Sequence, residues 1–288
     1  MRFALLPTVL AALPLAAAWT APTYGGFEQL WSEEFTGSAG DRVNAKTWNY
    51  ITDIHVNNEL QKYTEDTRNV QISGGGTVQL VPWRDARGQW TSGRIESKYV
   101  FTPQAGRVTF AEATLRFGAN DAATRQGLWP AFWMLGDAMR HGVDWPGCGE
   151  IDILERVNGA AEVTGTVHCD REGGGGGACN TPTGIGAPTA LPDRDWHAWR
   201  LEFDRSAPDW RVQTITWFRD GQQFHQVSGE RIGSEGIWKA LCQSPVYFIL
   251  NVAVGGTLPG DPNDQTLGGY GAMMEVAYVA VYRSQDLG

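Results

Sequence analysis

The chain has 288 residues, 42% of them apolar, and a formal net charge of −9 at pH 7. This length and composition allow a substantial buried core and suit one large all-β domain; the acidic balance argues against nucleic acid or an anionic membrane as partner, because both require clustered Lys and Arg. The 13 Trp and 36 Gly, against only 19% charged residues, indicate many short strands and turns, with exposed aromatic surface for a neutral ligand.

The N-terminal stretch MRFALLPTVLAALPLAAAWTAP has the pattern of a secretory signal peptide. One early basic residue precedes an apolar run that ends in small residues at Ala16 and Ala18. The run is shorter than the roughly 18 residues of a membrane anchor and is interrupted by two prolines. We therefore expect residues 1–18 to be removed as a signal peptide, leaving one domain over 19–288. This would be a secreted monomer without a membrane partner.

Short β-type runs recur along the rest of the chain between turn signals, without a fixed-period repeat. The Asp220-Gly221 pair between two such runs predicts a β-hairpin, and the only clear helix candidate is the short segment 234–242. The Gly-rich segments 74–76 and 173–177 lack the Lys-Ser/Thr ending of a phosphate loop, so we interpret them as ordinary loops. Together these runs predict a sandwich of two antiparallel sheets, with one sheet face forming a cleft. The predicted strands are 78–83, 107–117, 161–169, 196–204, 215–227, 246–254 and 274–282.

The stretch GEIDILERVNG contains three carboxylates among mostly aliphatic side chains. In a strand, Glu150 and Asp152 share one face while Ile151 and Ile153 share the other. Glu155 is five positions after Glu150, so it reaches the face of the other two acids only if a β-bulge inserts one residue. Three like charges about 7 Å apart along one face cost stability, which favours a functional site over a decorated surface strand.

Tryptophans surround this acidic strand in the sequence. Trp129 and Trp133 are four residues apart and so share a strand face, and Trp145 comes shortly before the acids. Indoles beside paired carboxyl groups are what a glycosidase needs, namely a stacking surface for sugar rings, one acid, and one base or nucleophile. Two glutamates on one bulged strand favour the short carboxyl separation of about 5 to 5.5 Å that is typical of retaining enzymes.

Four cysteines follow in an exported chain that is able to form disulfides. Cys169 and Cys179 bracket a short Gly-rich loop, and pairing them leaves Cys148 with Cys242. Three connectivities remain open from the sequence alone. No Cys-x-x-Cys or paired-His spacing supports a zinc site, so we expect no metal.

The acidic stretch resembles the Glu-x-Asp-x-x-Glu signature of glycoside hydrolase family 16, the laminarinase and mixed-linkage β-glucanase group. The resemblance extends in order over nearly the whole chain that follows the signal peptide, and it implies a β-jelly roll (concanavalin A-like) with a concave sheet as the substrate cleft. The other similar segments are WSEEF (31–35), NNELQKYT (57–64), SGRIESK (92–98), GLWPAFWML (127–135), GTVH (165–168), WHAWRLEF (196–203) and ILNVAVGG (249–256).

The resemblance assigns roles to individual residues of this chain. Glu150 matches the nucleophile, Glu155 the general acid/base, and Asp152 the helper carboxylate between them. For the substrate-binding positions, a buried framework role is the alternative in each case. These positions are Trp129 and Trp133 around the sugar at the cleaved bond, Asn58 and Arg94 on the glycone side, His168 beside the catalytic pair, and Trp145 as an aglycone platform.

One departure from the family concerns calcium. Many relatives carry an Asp in the C-terminal strand that binds a structural calcium, whereas this chain has Ala277 there. Only a weaker oxygen site, with Glu34 and backbone carbonyls, would remain. We therefore expect no required cofactor, and the absence of this Asp argues against a structural calcium.

The sequence thus predicts a secreted endo-β-glucanase that cleaves internal β-1,3 bonds with retention, through a covalent glycosyl-enzyme. Action on β-1,4 bonds next to β-1,3 bonds stays open. The alternatives are a β-glucan transglycosylase, a non-catalytic β-glucan-binding module on the same fold, and a galactan hydrolase. A binding module has no need of both glutamates, and an acidic chain suits anionic galactans poorly.

Overall fold

The computed structural model describes residues 19–170, 177–191 and 193–285. The predicted signal peptide and most of the Gly-rich segment 173–177 lie outside the described residues. Almost all regular structure is β. The strands are β1 (Phe27–Glu33), β2 (Trp48–Tyr50), β3 (Lys62–Tyr63), β4 (Val70–Ile72), β5 (Val78–Leu80), β6 (Trp83–Arg84), β7 (Trp90–Ser92), β8 (Arg94–Phe101), β9 (Val108–Phe117), β10 (Leu128–Gly136), β11 (Glu150–Glu155), β12 (Glu162–His168), β13 (Ile185–Ala190), β14 (His197–Asp204), β15 (Thr214–Arg219), β16 (Gln222–Ser228), β17 (Val246–Val254) and β18 (Met274–Ser284), and the helices are α1 (Gly229–Ile232) and α2 (Glu235–Cys242).

Two large antiparallel sheets form a sandwich, which confirms the predicted all-β jelly roll. The cleft sheet has the strand order β13-β12-β11-β10-β17-β8-β2. The outer sheet has the order β16-β15-β14-β9-β18-β5-β4, with β1 paired to β18. A small third sheet has the order β3-β7-β6, and Ser92 of β7 donates to the Val252 carbonyl of β17 in the cleft sheet. Because sequence neighbours are often not sheet neighbours, strands distant in the chain meet in the cleft sheet.

The core lies between the two large sheets and is dominated by large apolar side chains. Phe132 of β10 and Phe248 of β17 stack with ring centroids 5.9 Å apart, and both are fully buried. From the outer sheet, Trp199 and Trp217 reach into the same cluster. Each such side chain contributes about 1.5–3 kcal/mol through removal of apolar area from water, so the core fixes the position of the cleft sheet strands.

The predicted elements mostly agree with the structure. The run 215–227 forms the β15–β16 hairpin, with Asp220 and Gly221 at φ of 50° and 77°, the left-handed values of a two-residue hairpin turn. The prediction of a single strand over 78–83 is wrong. The first residues of this run form β5 in the outer sheet and its end forms β6 in the small sheet, because Pro82 lacks an N–H and interrupts the ladder.

One of the two predicted disulfides is present. Cys169 and Cys179 are bonded, with Cα atoms 5.3 Å apart. The predicted pairing of Cys148 with Cys242 is wrong, since both are buried free thiols. The two residues lie in different apolar clusters: Cys148 packs with Tyr247 and its neighbours, and Cys242 belongs to the core between the sheets.

The surroundings of Ala277, the position at which many relatives carry a calcium-binding Asp, are apolar. Ala277 is completely buried in a cluster with Ala21 and Tyr278, and the Glu34 carboxylate accepts the backbone N–H of Ala21 at 3.1 Å. Across the described ranges, no helix has the length and apolar character to cross a bilayer.

Candidate active site

Three rows of side chains cross the face of the cleft sheet that points away from the outer sheet. They arise because directly paired residues of antiparallel strands project to the same side. Adjacent members of a row lie one strand spacing apart, although they are often far apart in sequence. The first row is Arg94, Asn251, Ala131 and Glu155; the second is Glu96, Ile249, Trp133, Asp152 and Thr166; the third is Tyr247, Leu135, Glu150 and His168.

Glu155 reaches this face because β11 contains a β-bulge. Between the pairs Asp152–Thr166 and Glu155–Thr164, β11 has two residues where β12 has one. The pairing of β11 with β10 shifts at the same place. Both intervening residues of β11 are buried in the core. The bulge expected from the odd spacing is therefore present, and Glu155 lines the same cavity as Glu150 and Asp152.

Each glutamate accepts a hydrogen bond from one indole. Trp129 Nε1 donates to Glu155 Oε1 at 2.8 Å, and Trp145 Nε1 donates to Glu150 Oε2 at 3.1 Å. An indole N–H can only donate a hydrogen bond, so each contact holds one carboxylate oxygen at the edge of an indole ring. The two tryptophans therefore fix the orientation of the two carboxyl groups, in addition to any surface they offer to a sugar.

His168 and Asp152 stand beside Glu150. His168 Nε2 lies 3.3 Å from Asp152 Oδ2 and 3.8 Å from Glu150 Oε1. The His168 and Trp145 ring centroids are 6.1 Å apart. The ligand atoms of Glu150, Asp152 and His168 lie within 4.8 Å of one another, a spacing that a metal ion also requires. His168 Nε2 is thus close enough to act on the charge of both carboxyl groups.

A second polar network occupies the β8–β17 side of the site. Arg94 is buried, donates to Glu96 Oε1 through Nε and Nη2 at 3.2 and 2.8 Å, and has its guanidinium 5.0 Å from the Trp133 ring centroid. Trp133 Nε1 donates to Asn251 Oδ1 at 2.7 Å, and Asn251 Nδ2 donates to Tyr63 OH at 3.1 Å. The chain of contacts holds the Trp133 ring rigidly at the floor of the cleft.

The cavity collects most, but not all, of the predicted residues. Asn58 is exposed, and its amide donates to Thr257 Oγ1 at 3.4 Å beside the cavity. Its sequence neighbours Asn57 and Glu59 line the cavity instead. Trp145 and His168 are not among the lining residues, but both lie next to Glu150, which is. The substrate-binding roles remain predictions. The lining residues are Val56, Asn57, Glu59, Arg94, Trp129, Ala131, Trp133, Glu150, Asp152, Glu155, Asn251 and Ala253.

Sequence reasoning missed two buried polar residues of the site, Glu96 and Asn251. Asn251 is the only amide or charged side chain in β17, whose other residues are aliphatic or aromatic. A lone amide in a buried strand requires partners, which was a usable signal. Glu96 gave no comparable signal, because Ser97 and Lys98 follow it directly and such a polar run is typical of an exposed strand.

Burial and mutual repulsion dominate the electrostatics of the three acids. Burial, with repulsion from Asp152, raises the pKa of Glu150 well above its usual value and that of Glu155 to about 8. Burial raises the pKa of Asp152 to about 8 as well. The Trp145 and His168 contacts act in the opposite direction on Glu150. The trio therefore retains at least one proton near neutral pH, as acid catalysis requires.

The jelly roll has an aromatic cleft that contains two glutamates and an aspartate between them on one strand, and each glutamate accepts a hydrogen bond from a tryptophan. This combination defines a glycoside hydrolase. Comparison with known proteins gives its family. Residues 82–181 match the family model described as XgeA-like, catalytic GH16 domain. The chain is 30% identical to the Beta-glucanase of Rhodothermus marinus, over 98% of this chain and 94% of that protein. The chain therefore belongs to glycoside hydrolase family 16, which confirms the resemblance.

Solved structures and longer relatives extend this result. The crystal structure of endo-1,3-beta-glucanase from Streptomyces sioyaensis superposes with a TM-score of 0.85 at 34% identity, over 93% of this chain and 100% of that one. Glucan endo-1,3-beta-glucosidase A1 of Niallia circulans is 30% identical over 92% of this chain. In that comparison the chain spans only 39% of the length of the relative.

Proposed function

We propose that the chain is a retaining endo-β-1,3-glucanase that hydrolyses internal bonds of a neutral β-glucan. The bulge in β11 carries this proposal, because it places Glu150 and Glu155 on one face of one strand and in one cavity. Relatives named as endo-1,3-β-glucanases and β-glucanases support the choice of substrate. The acidic chain also suits an uncharged polysaccharide.

In the first step, the ionised Glu150 attacks the anomeric carbon while Glu155 gives its proton to the glycosidic oxygen, so the bond to the leaving sugar breaks. In the second step, Glu155 takes a proton from water, whose oxygen attacks the anomeric carbon and releases Glu150. Two inversions give net retention. Asp152 lies between the two glutamates in sequence and contacts His168, so this pair adjusts the charge on Glu150.

The hydrogen bonds favour Glu155 over Glu150 as the carrier of the catalytic proton. Glu150 accepts from Trp145 and has His168 Nε2 within 3.8 Å, so two groups stabilise its negative charge. Glu155 has one such donor, Trp129. With the pKa of Glu155 raised to about 8, this residue keeps the proton that the leaving group needs.

The decisive experiment is Glu150→Gln with laminarin as substrate. We expect turnover to fall by at least about a thousandfold, because the nucleophile is lost, while binding of laminarin oligosaccharides persists. Glu162→Gln, an exposed glutamate on the neighbouring strand β12, is the matched control. Near-normal turnover by the Glu150 variant would refute the assignment. NMR of early products of the parent protein reports the anomeric configuration, and lichenan, barley β-glucan and agarose define the linkage preference.

Transglycosylation is the remaining alternative, because the same two glutamates serve both reactions. Addition of an oligosaccharide acceptor distinguishes the two. Hydrolysis predicts an unchanged product profile, and transglycosylation predicts products longer than the substrate.

We further propose that the protein is exported, acts as a monomer and requires no cofactor. The signal-like N-terminus supports export, and so does the Cys169–Cys179 disulfide, since such bonds persist in oxidising compartments. Fractionation of a producing culture, with activity measured in the medium and in the cells, tests the localisation.

A further inference from the structure

The bulge in β11 is contacted from the opposite side of the sandwich. Trp217 belongs to β15 of the outer sheet, is fully buried, and donates from Nε1 to the backbone carbonyl of Asp152 at 2.8 Å. In a regular ladder, a strand carbonyl bonds to the N–H of a neighbouring strand. The carbonyl at the start of the bulge accepts in addition from a side chain of the other sheet.

The β12 residue opposite the bulge is a glycine, which leaves room for the same indole ring. Gly165 lies between the two pairs that flank the register shift. A Cβ at this position would overlap the Trp217 ring and come within 2.7 Å of Nε1. The ring also packs against His225, with centroids 4.7 Å apart. The indole is thus fixed on several sides, with its N–H directed at the bulge.

We propose that Trp217 is a positioning residue for Glu155, which it holds in the cleft by stabilising the bulge. The inference rests on the proposed function. Without the indole donor, the Asp152 carbonyl loses this buried hydrogen bond, which weakens the bulged conformation. Closing the bulge into a regular ladder moves Glu155 by one position, toward the core face. Glu150 precedes the bulge, so its position is unaffected.

The test uses Trp217→Phe, which keeps an aromatic ring and removes the donor. Trp199→Phe is the matched control: Trp199 is also a fully buried tryptophan of the outer sheet, on the adjacent strand β14, but its Nε1 has no hydrogen-bond partner among the described residues. Benzothienylalanine at position 217 retains the two-ring shape and lacks only the N–H, so it carries the test if the Phe variant does not fold.

Two substrates separate positioning of Glu155 from general damage. Laminarin has a poor leaving group that needs the proton of Glu155. The dinitrophenolate group of a dinitrophenyl β-laminaribioside leaves without a proton. Added azide then replaces the water that Glu155 otherwise activates. We expect Trp217→Phe to lower kcat on laminarin by about tenfold or more, with KM within about twofold, because a small misplacement of a catalytic group is costly. With the aryl substrate and azide, the rate stays within about twofold of the parent.

The control should match the parent on both substrates. Equal rates for Trp217→Phe and Trp199→Phe on laminarin would overturn the inference, as would an equal loss by Trp217→Phe on both substrates, which indicates disorder of the whole cleft. If the parent itself does not cleave laminarin, the proposed function fails instead. The two failures are therefore distinguishable.

Discussion

Replacement of Glu155 by Gln should stabilise the protein at alkaline pH while it removes activity. Burial and repulsion raise the pKa of Glu155 from 4.5 to about 8 in the folded protein. The folded state therefore holds a proton that the unfolded state releases between these two values. Parent stability consequently falls as pH rises through this window. Gln has no proton to lose, and its side-chain oxygen still accepts from Trp129.

The size of the effect follows from the shift. At about 1.36 kcal/mol for each pKa unit, the full shift is worth about 5 kcal/mol. The cleft is open to water and the neighbouring acids exchange protons, so we expect less than half of this, about 2 kcal/mol. For a domain of this size, that raises the Tm by about 4–8 °C. The gain should be complete at pH 8 and absent at pH 4, where both states are protonated.

Differential scanning fluorimetry from pH 4 to pH 8 measures the Tm difference between Glu155→Gln and the parent. Glu162→Gln is the control for removal of an exposed glutamate. A Tm gain that is equal at both ends of the range would show that it does not arise from titration. No gain at pH 8 would show that the cleft does not penalise the charge on Glu155. Either result would refute the electrostatic argument.

Three further outcomes are expected. Asn251→Ala should raise KM for laminarin about tenfold with a smaller change in kcat, because Trp133 and Tyr63 both lose a buried hydrogen-bond partner; an unchanged KM in steady-state kinetics would contradict this. The double variant Cys169→Ser/Cys179→Ser should unfold about 3 kcal/mol more easily, with Tm lower by about 6–12 °C, and an unchanged melting curve would show that the bond contributes nothing. Prolonged EDTA treatment should leave the Tm unchanged, and a drop that added calcium restores would reveal a calcium site.

The acidic strand shows how far sequence alone reaches. The period of two in a strand placed Glu150 and Asp152 on one face, and the odd gap to Glu155 required a bulge, which the structure contains. These are local properties of the chain, so they follow from spacing. The sandwich was predictable for the same reason, since alternation and turn residues mark strands within a few positions.

Pairing between distant strands was less accessible. The sequence did not indicate that β17 lies beside β10, and therefore that Asn251 meets Trp133. The same limit explains the wrong cysteine pair. Elimination after one disulfide is a counting argument, whereas a bond requires the two sulfurs to meet in space.

The sequence by itself determined the class of fold, the candidate catalytic residues and the need for a bulge between Asp152 and Glu155. Only the tertiary structure decided what stabilises that bulge. The N–H of Trp217 comes from the opposite sheet, 65 positions away from the carbonyl that accepts it. Spacing along the chain reports the direction of a side chain within its own strand, but a contact between two sheets depends on how they pack, and no local pattern contains that information.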